Sequence, residues 1–206
     1  MQAIIFDMDG VIVDSMWIHV QTQQEILKRY NVQISDEELL ETCAGVPNEV
    51  TFKNLIKDPT VDYTALSLEK DKRTRELFKG DIKPIEGIHE LTNLLKDKYK
   101  LAVGSSSRLE FIRTVLEKLN LNKVFSVIAS KEDFTKGKPD PEVFLIAAKK
   151  LKISPKECVV IEDGVSGMVA AKRAGMKCIG LVTDTTKKYP ADKLVTSLKE
   201  LTLEDF

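Results

Sequence analysis

Four clusters of residues in this chain have types and spacings that could do chemistry. The first is Asp7-Met8-Asp9-Gly10-Val11, two carboxylates at i and i+2 directly after the apolar run Ala3-Ile4-Ile5-Phe6. The second is Ser105-Ser106-Ser107, after Leu101-Ala102-Val103-Gly104. The third is Lys136-Gly137-Lys138-Pro139-Asp140-Pro141, and the fourth is Glu162-Asp163-Gly164, after Cys158-Val159-Val160-Ile161. Hydroxyls and backbone N–H groups ahead of a helix make an anion site. Several oxygen ligands near one point suit a hard cation such as Mg²⁺, which takes carboxylates, carbonyl oxygens and water. The lysine and the hydroxyls suit a phosphoryl group, and a carboxylate nucleophile can take that group up as an aspartyl phosphate. Mg²⁺ and lysine would offset the repulsion between the anionic reactants.

Each cluster also has a plainer reading. Asp-Gly is a common turn signal. Ser107-Arg108-Leu109-Glu110 reads as a capping box for a following helix. A solvated turn lysine describes Lys136 better than Lys138, and one carboxylate of the Glu162–Asp163 pair would serve as an N-cap. These readings leave Ser105 and Ser106 without a role and use only one carboxylate of the second acidic pair.

The elements that must position these groups show in the hydrophobic pattern. Continuous apolar runs at 3–6, 101–104, 124–129, 158–161 and 178–182 suit strands covered on both faces, as in a parallel sheet. Helical stripes lie between them: Ile88, Leu91, Leu94 and Leu95; Leu109, Ile112, Leu116 and Leu119; Val143, Phe144, Ala147, Ala148 and Leu151; Val165, Met168, Val169 and Ala174. Asp140-Pro141 places a cap residue before a proline at the first helical position, and Gly175 stops the last stripe. The alternation predicts an α/β fold, a three-layer Rossmann-like core on a parallel sheet. From Ser15 to Asp81 the rhythm breaks into helical patterns alone, opening on Met16, Val20, Leu27 and Tyr30, with a Ser35-Asp36-Glu37-Glu38 capping box further on. Residues 1–14 and 82–206 are expected to form the core, and 15–81 an inserted all-helical cap over the carboxyl ends of the strands, where open α/β sheets bind ligands.

Composition narrows the classes. The 206 residues carry 31 Lys+Arg against 32 Asp+Glu, a net charge of −1, which excludes a basic nucleic-acid domain. With 43% hydrophobic and 31% charged residues the chain is globular, one large domain or two unequal ones. Cys43, Cys158 and Cys178 are scattered, form no CxxC, and read as core or surface thiols. No apolar run approaches the length of a membrane span, and the first residues lack the basic-then-apolar layout of a signal peptide. The expectation is a cytoplasmic protein with no membrane and no nucleic-acid partner; the sequence leaves the oligomeric state open.

Taken in order, Asp7-x-Asp9-Gly10-Val11, a strand followed by Ser105, Lys138-Pro139, and Glu162-Asp163-Gly164 with Ser166-Gly167 and an Ala174-Gly175 ending resemble the haloacid dehalogenase-like superfamily of Mg²⁺-dependent phosphohydrolases. Within it the chain looks most like the branch holding β-phosphoglucomutase and small sugar-phosphate phosphatases. The resemblance spans essentially the whole chain and implies a role for each position. Asp7 would be nucleophile and metal ligand. Asp9 would be the general acid/base and lend its backbone carbonyl to the metal. Asp163 would ligate the metal, with Glu162 a ligand or a neighbour of one. Ser105, the Ser106 amide and Lys138 would hold phosphoryl oxygens. On the cap, His19 stands where phosphoglucomutase-like members carry a histidine, beside Trp17. Asn48, in Ala44-Gly45-Val46-Pro47-Asn48-Glu49, stands where the mutase has an arginine for its second phosphate. Lys72 is a further candidate substrate contact, and His89 reads as surface. The missing arginine favours a phosphatase acting on a small phosphorylated metabolite, a sugar phosphate above all. A hexose-phosphate mutase is the alternative, and a non-catalytic binding module on the same fold the remote one.

Overall fold

The structure, a computed structural model, describes residues 1–43, 46–78, 80 and 82–206. Ala44 and Gly45 of the cap-loop reading, Asp81 at the expected boundary and the Cys43 side chain lie outside the described residues. The chain divides into two compact units, Met1–Asp14 with Ile82–Phe206, and Ser15–Asp81. In chain order, β1 (Ala3–Phe6) and β2 (Val13–Asp14) are followed by α1 (Met16–Arg29), α2 (Asp36–Cys43), α3 (Asn48–Ile56) and α4 (Tyr63–Leu77). Then come β3 (Lys83–Pro84), α5 (Ile88–Leu95), β4 (Lys100–Gly104), α6 (Leu109–Lys118), β5 (Val127–Ala129) and α7 (Glu142–Leu151). The chain closes with β6 (Cys158–Glu162), α8 (Val165–Arg173), β7 (Lys177–Leu181) and β8 (Lys193–Val195).

In the first unit six strands form a sheet in the order β5-β4-β1-β6-β7-β8, every pair parallel. The apolar runs explain this arrangement: β1, with all four residues fully buried, takes the centre. Ala3, Ile5, Ala102, Val160 and Cys178 pack with Phe144, Ala147, Ala170 and Ala171 of α7 and α8. Ile4, Phe6, Leu101 and Val103 point to the opposite face by strand alternation and are equally buried, with Phe6 meeting Phe125 edge-on. Register is what positions the site. Phe6 pairs with both Val103 and Ile161, so Asp7, Ser105 and Glu162 emerge at one edge.

The structure corrects several local expectations. β5 is shorter than its apolar run, leaving Val124 and Phe125 outside the ladder. β8, and the antiparallel β2–β3 pair, escape a hydrophobic scan because two and three residues give no period. α7 starts one residue late: Pro141 is its N-cap, and Asp140 Oδ1 accepts from Glu142 N at 3.1 Å. α8 buries Gly167, Met168, Ala170 and Ala171, while Val165 stays 51% exposed, because small residues allow the closest approach to the sheet. Leu94 likewise faces outward. Ser107 does not cap α6, whose N-cap is Arg108 with no side-chain cap bond.

The second unit is four helices around Val20, Leu27, Leu39, Phe52 and Leu66. The Ser35 hydroxyl accepts from Glu38 N at 3.1 Å, as its capping box predicts, and Asp62 caps α4 through Ala65 N. Phe52 is fully buried at its centre. Phe52→Ala is expected to cost this unit about 3–5 kcal/mol. Trp17, the single tryptophan, lies on α1 of the same unit, so urea unfolding followed by its fluorescence checks the loss.

Candidate active site

The acidic loop after β1 is tied to both sheet and turn. Asp7 N donates to Ile161 O at 2.9 Å, and Met8 O accepts from the amides of Val11, Ile12 and Val13. Gly10 takes φ +76°, a left-handed conformation that glycine adopts without strain. A Cβ there would stand 2.0 Å from Asp163 Oδ2. The glycine therefore lets the two acidic loops close on one another.

Lys138 is the pivot of the cluster. Its side chain is 9% exposed, and its Nζ donates to Asp7 Oδ1 at 2.8 Å and to Glu162 Oε1 at 2.5 Å. The ammonium also lies 4.9 Å from the Phe144 ring centroid, a cation–π distance. Burial alone would lower the Lys138 pKa; the Asp7 and Glu162 carboxylates outweigh it and hold the group above the ordinary lysine value. Lys136, by contrast, is exposed.

Glu162 is engaged on both oxygens: Oε1 accepts from Lys138, and Oε2 accepts from Gly164 N at 2.7 Å. It lies at the start of α8, where the helix dipole and free amides favour a carboxylate. Gly167 makes the room, since a Cβ at that position would fall 1.7 Å from Glu162 Oε1. Asp7, Glu162 and Asp163 bring carboxylate oxygens within 4.8 Å of one another. Burial, opposed by Lys138 and reinforced by Glu162 and Asp9, pushes the Asp7 pKa up to about 7. Burial, with the neighbouring Glu162 and Asp7 charges, raises Asp163 well above the usual carboxylate range. A cluster so rich in negative oxygen, closed by a glycine a methyl group would overfill, fits a small hard cation such as Mg²⁺.

On the β4 side, Ser105 is buried, its N donating to Ala129 O and its Oγ accepting from Ser107 N at 3.0 Å. Ser106 is exposed next to it. Ser107 Oγ donates to Asp9 Oδ2 at 3.2 Å. The cap role expected of Ser107 falls instead to Glu132, whose Oε2 accepts from Leu109 N at 3.0 Å. The first unit thus gathers Asp7, Asp9, Ser105, Lys138, Glu162 and Asp163. It adds Phe144, Ser107 and Gly167, whose sequence signals were absorbed by an apolar stripe, a cap pattern and a small-residue pair.

The cap candidates His19, Asn48 and Lys72 belong to the second unit. His19 Nδ1 lies 3.3 Å from Lys70 Nζ, and its ring 6.4 Å from that of Phe78. Lys70, not Lys72, is the buried lysine of α4, at 4% exposure; the sequence showed both inside one charged run. Lys72 is exposed in a surface cleft with Glu25, Arg29, Glu69 and Arg73. Asn48 Nδ2 donates to Asp71 Oδ1 at 3.2 Å. His89 is exposed.

Two outcomes follow from this geometry. A carboxyl whose folded pKa is raised to about 7 favours folding when protonated, so its contribution is lost as pH climbs from about 4 to about 7. Metal-free Asp7→Asn should therefore melt above wild type at pH 8, by an amount on the order of a few kcal/mol that shrinks toward pH 4; paired thermal melts across pH measure it. Gly167→Ala should displace the Glu162 carboxylate and destabilise the first unit by about 1–3 kcal/mol, read by urea denaturation.

Residues 4–181 match the haloacid dehalogenase-like hydrolase family. The chain is 32% identical over 185 residues to the phosphorylated carbohydrates phosphatase of Thermotoga maritima, covering 87% of this chain and 84% of that protein. It is 31% identical over 214 residues to β-phosphoglucomutase of Bacillus subtilis, covering 99% and 93%. Among solved structures, a β-phosphoglucomutase from Clostridium difficile superposes with a TM-score of 0.84 at 25% identity over 100% and 95% of the two chains. CbbY from Rhodobacter sphaeroides in complex with phosphate gives 0.81 at 27% over 97% and 96%. With a match from Ile4 to Leu181 and relatives above 30% identity over nearly their whole lengths, the chain belongs to the haloacid dehalogenase-like hydrolase family.

Proposed function

We propose that this enzyme is a Mg²⁺-dependent phosphatase that hydrolyses a small phosphorylated metabolite, a sugar phosphate in particular, through an aspartyl phosphate on Asp7. The observation that carries the reading is the buried Lys138 bridging Asp7 and Glu162, with Asp163 alongside, at the carboxyl edge of the parallel sheet. The likeness to the Thermotoga maritima phosphatase supports the substrate class.

Asp7 and Asp163 would hold Mg²⁺ together with the Asp9 backbone carbonyl. Glu162, with both oxygens already hydrogen-bonded, would brace Lys138 instead. Bound there, the cation would supply charge neutralisation for the phosphoryl oxygens. A lone pair of the Asp7 carboxylate attacks phosphorus. The bond from phosphorus to the leaving oxygen breaks with its electrons on that oxygen, which takes a proton from Asp9. In the second half, a water oxygen attacks the phosphoryl group as Asp9 takes back a proton, and the Asp7 oxygen leaves with its electron pair. Lys138, Ser105 and the Ser106 amide hold the transferring oxygens, fixed donors that need no reorganisation as charge builds. Lys138 also opposes the burial that would keep Asp7 protonated. Residues 15–81 would act as the cap, with His19, Asn48 and Lys72 its candidate substrate contacts.

A mutase is favoured by the likeness to β-phosphoglucomutases, at 31% identity for that of Bacillus subtilis. Asn48, tied to Asp71, offers no positive charge for a second phosphate.

Phosphate release from a panel of sugar phosphates and p-nitrophenyl phosphate, with and without Mg²⁺, decides between them. Turnover that requires Mg²⁺ and falls at least about 10³-fold in Asp7→Asn is expected. Interconversion of sugar 1- and 6-phosphates without net phosphate loss would replace the phosphatase with the mutase. A folded wild type inert in both assays would leave a binding module.

A further inference from the structure

Ser107 has no part in the reaction drawn above, yet its hydroxyl is spent on a reacting group. Its Oγ donates to Asp9 Oδ2 at 3.2 Å. Its position is over-determined by backbone contacts: its N donates to Ser105 Oγ at 3.0 Å, and its O accepts from Lys131 N at 2.9 Å. The neighbouring helix start would ordinarily claim a serine in this place. Here Glu132, on the segment after β5, takes over that duty through Leu109 N. That segment is itself braced by Asp133, whose Oδ2 accepts from Ser130 N and Ser130 Oγ and pairs with Lys150 at 2.7 Å. A distant glutamate caps the helix, and the serine faces the carboxylate.

We propose that Ser107 is a positioning residue for Asp9, fixing the carboxyl orientation from which a proton is delivered to the leaving oxygen and later taken from water. The bond from Ser107 to Oδ2 gives the Asp9 carboxyl a fixed reference in both halves of the cycle. The main chain alone does not set this angle, because Asp9 is only half-buried and its χ2 rotation is soft. Ser107 and Glu132 therefore act as a unit: Glu132 keeps the helix start satisfied, and Ser107 keeps the carboxyl aimed. The inference rests on the phosphatase reading and on Asp9 moving the proton in both steps.

The test uses p-nitrophenyl phosphate in rapid mixing with Mg²⁺, for wild type, Ser107→Ala and Ser107→Thr. Its leaving group departs as p-nitrophenolate and needs no proton, so enzyme phosphorylation bypasses the acid. Dephosphorylation still needs Asp9 to take a proton from water. Ser107→Ala should keep the p-nitrophenolate burst rate within about 3-fold of wild type and slow the phase after the burst about 10- to 100-fold, with phosphoenzyme accumulating. With the best sugar phosphate, whose alkoxide leaving group does need the proton, kcat should fall by at least as much while KM changes less than about 3-fold. Ser107→Thr, which keeps the hydroxyl, should recover most of both. Equal loss in burst and later phase with a lowered melting temperature would reduce Ser107 to a structural loop residue. A raised KM at unchanged kcat would make it a substrate contact, and unchanged kinetics would overturn the proposal outright. If wild type releases no phosphate, the phosphatase reading fails and this inference falls with it. An active wild type with an indifferent Ser107→Ala sinks the inference alone.

Discussion

Lys138 sits between Asp7 and Glu162 almost out of contact with water, and the other site residues are arranged around that ion triple. Burying three charges together is tolerable only when the geometry is close and the remaining hydrogen-bonding capacity is used. Both conditions hold here. Glu162 spends its second oxygen on the Gly164 amide, and the Lys138 ammonium faces the Phe144 ring as well as the two carboxylates. One lysine thereby ties the end of β1, the end of β6 and the loop ahead of α7 into one object. Remove the cation and the ends of β1 and β6 would each carry a buried carboxylate that has lost its counter-charge.

The triple still leaves the site over-supplied with negative charge. Asp163 and Asp9 stand beside Asp7, and burial together with the Glu162 and Asp9 charges outweighs Lys138 and drives the Asp7 pKa to about 7. A fold selected only for stability would not gather carboxylates in this way. Two glycines make the gathering possible, each by withholding a methyl group that would strike a carboxylate oxygen. Gly10 lets Asp163 approach the first loop, and Gly167 lets Glu162 lie on the start of α8. The strain of the active site is thus electrostatic, and the backbone that tolerates it is built from residues with no side chain.

The central strands and long amphipathic helices were legible in the sequence because burial on both faces writes continuous apolar runs, and one-sided burial writes a 3.6-residue period. Short elements were not: β2, β3 and β8 have two or three residues and gain their place from register rather than from pattern. Asp7, Glu162 and Asp163 stood out because they close strands that should share an edge, and Lys138 because a proline follows it just ahead of a helix. Ser107 was misread because a capping box is a local pattern, while its true competitor, Glu132, lies 23 residues from the amide it caps. Lys70 and Lys72 could not be told apart, since a highly charged helix carries little record of which face is covered. Val165 misled for a related reason: on α8 Gly167, Ala170 and Ala171, with Met168, mark the face that packs, and Val165 lies off it.

The sheet order has a consequence for the way the chain is made. β1 occupies the centre of the sheet, yet Ala3 pairs with Cys158, roughly 150 residues later. At ordinary translation rates the ribosome needs about 10 to 30 s to cover that stretch. Through that interval a strand with four fully buried apolar residues has one open edge at best, first both and then only the β6 side. The nascent chain therefore passes through a stage in which its most hydrophobic strand is a sticky template. Binding by chaperones during synthesis, and sensitivity to codon choice between residues 100 and 158, are where this architecture bears on production in the cell.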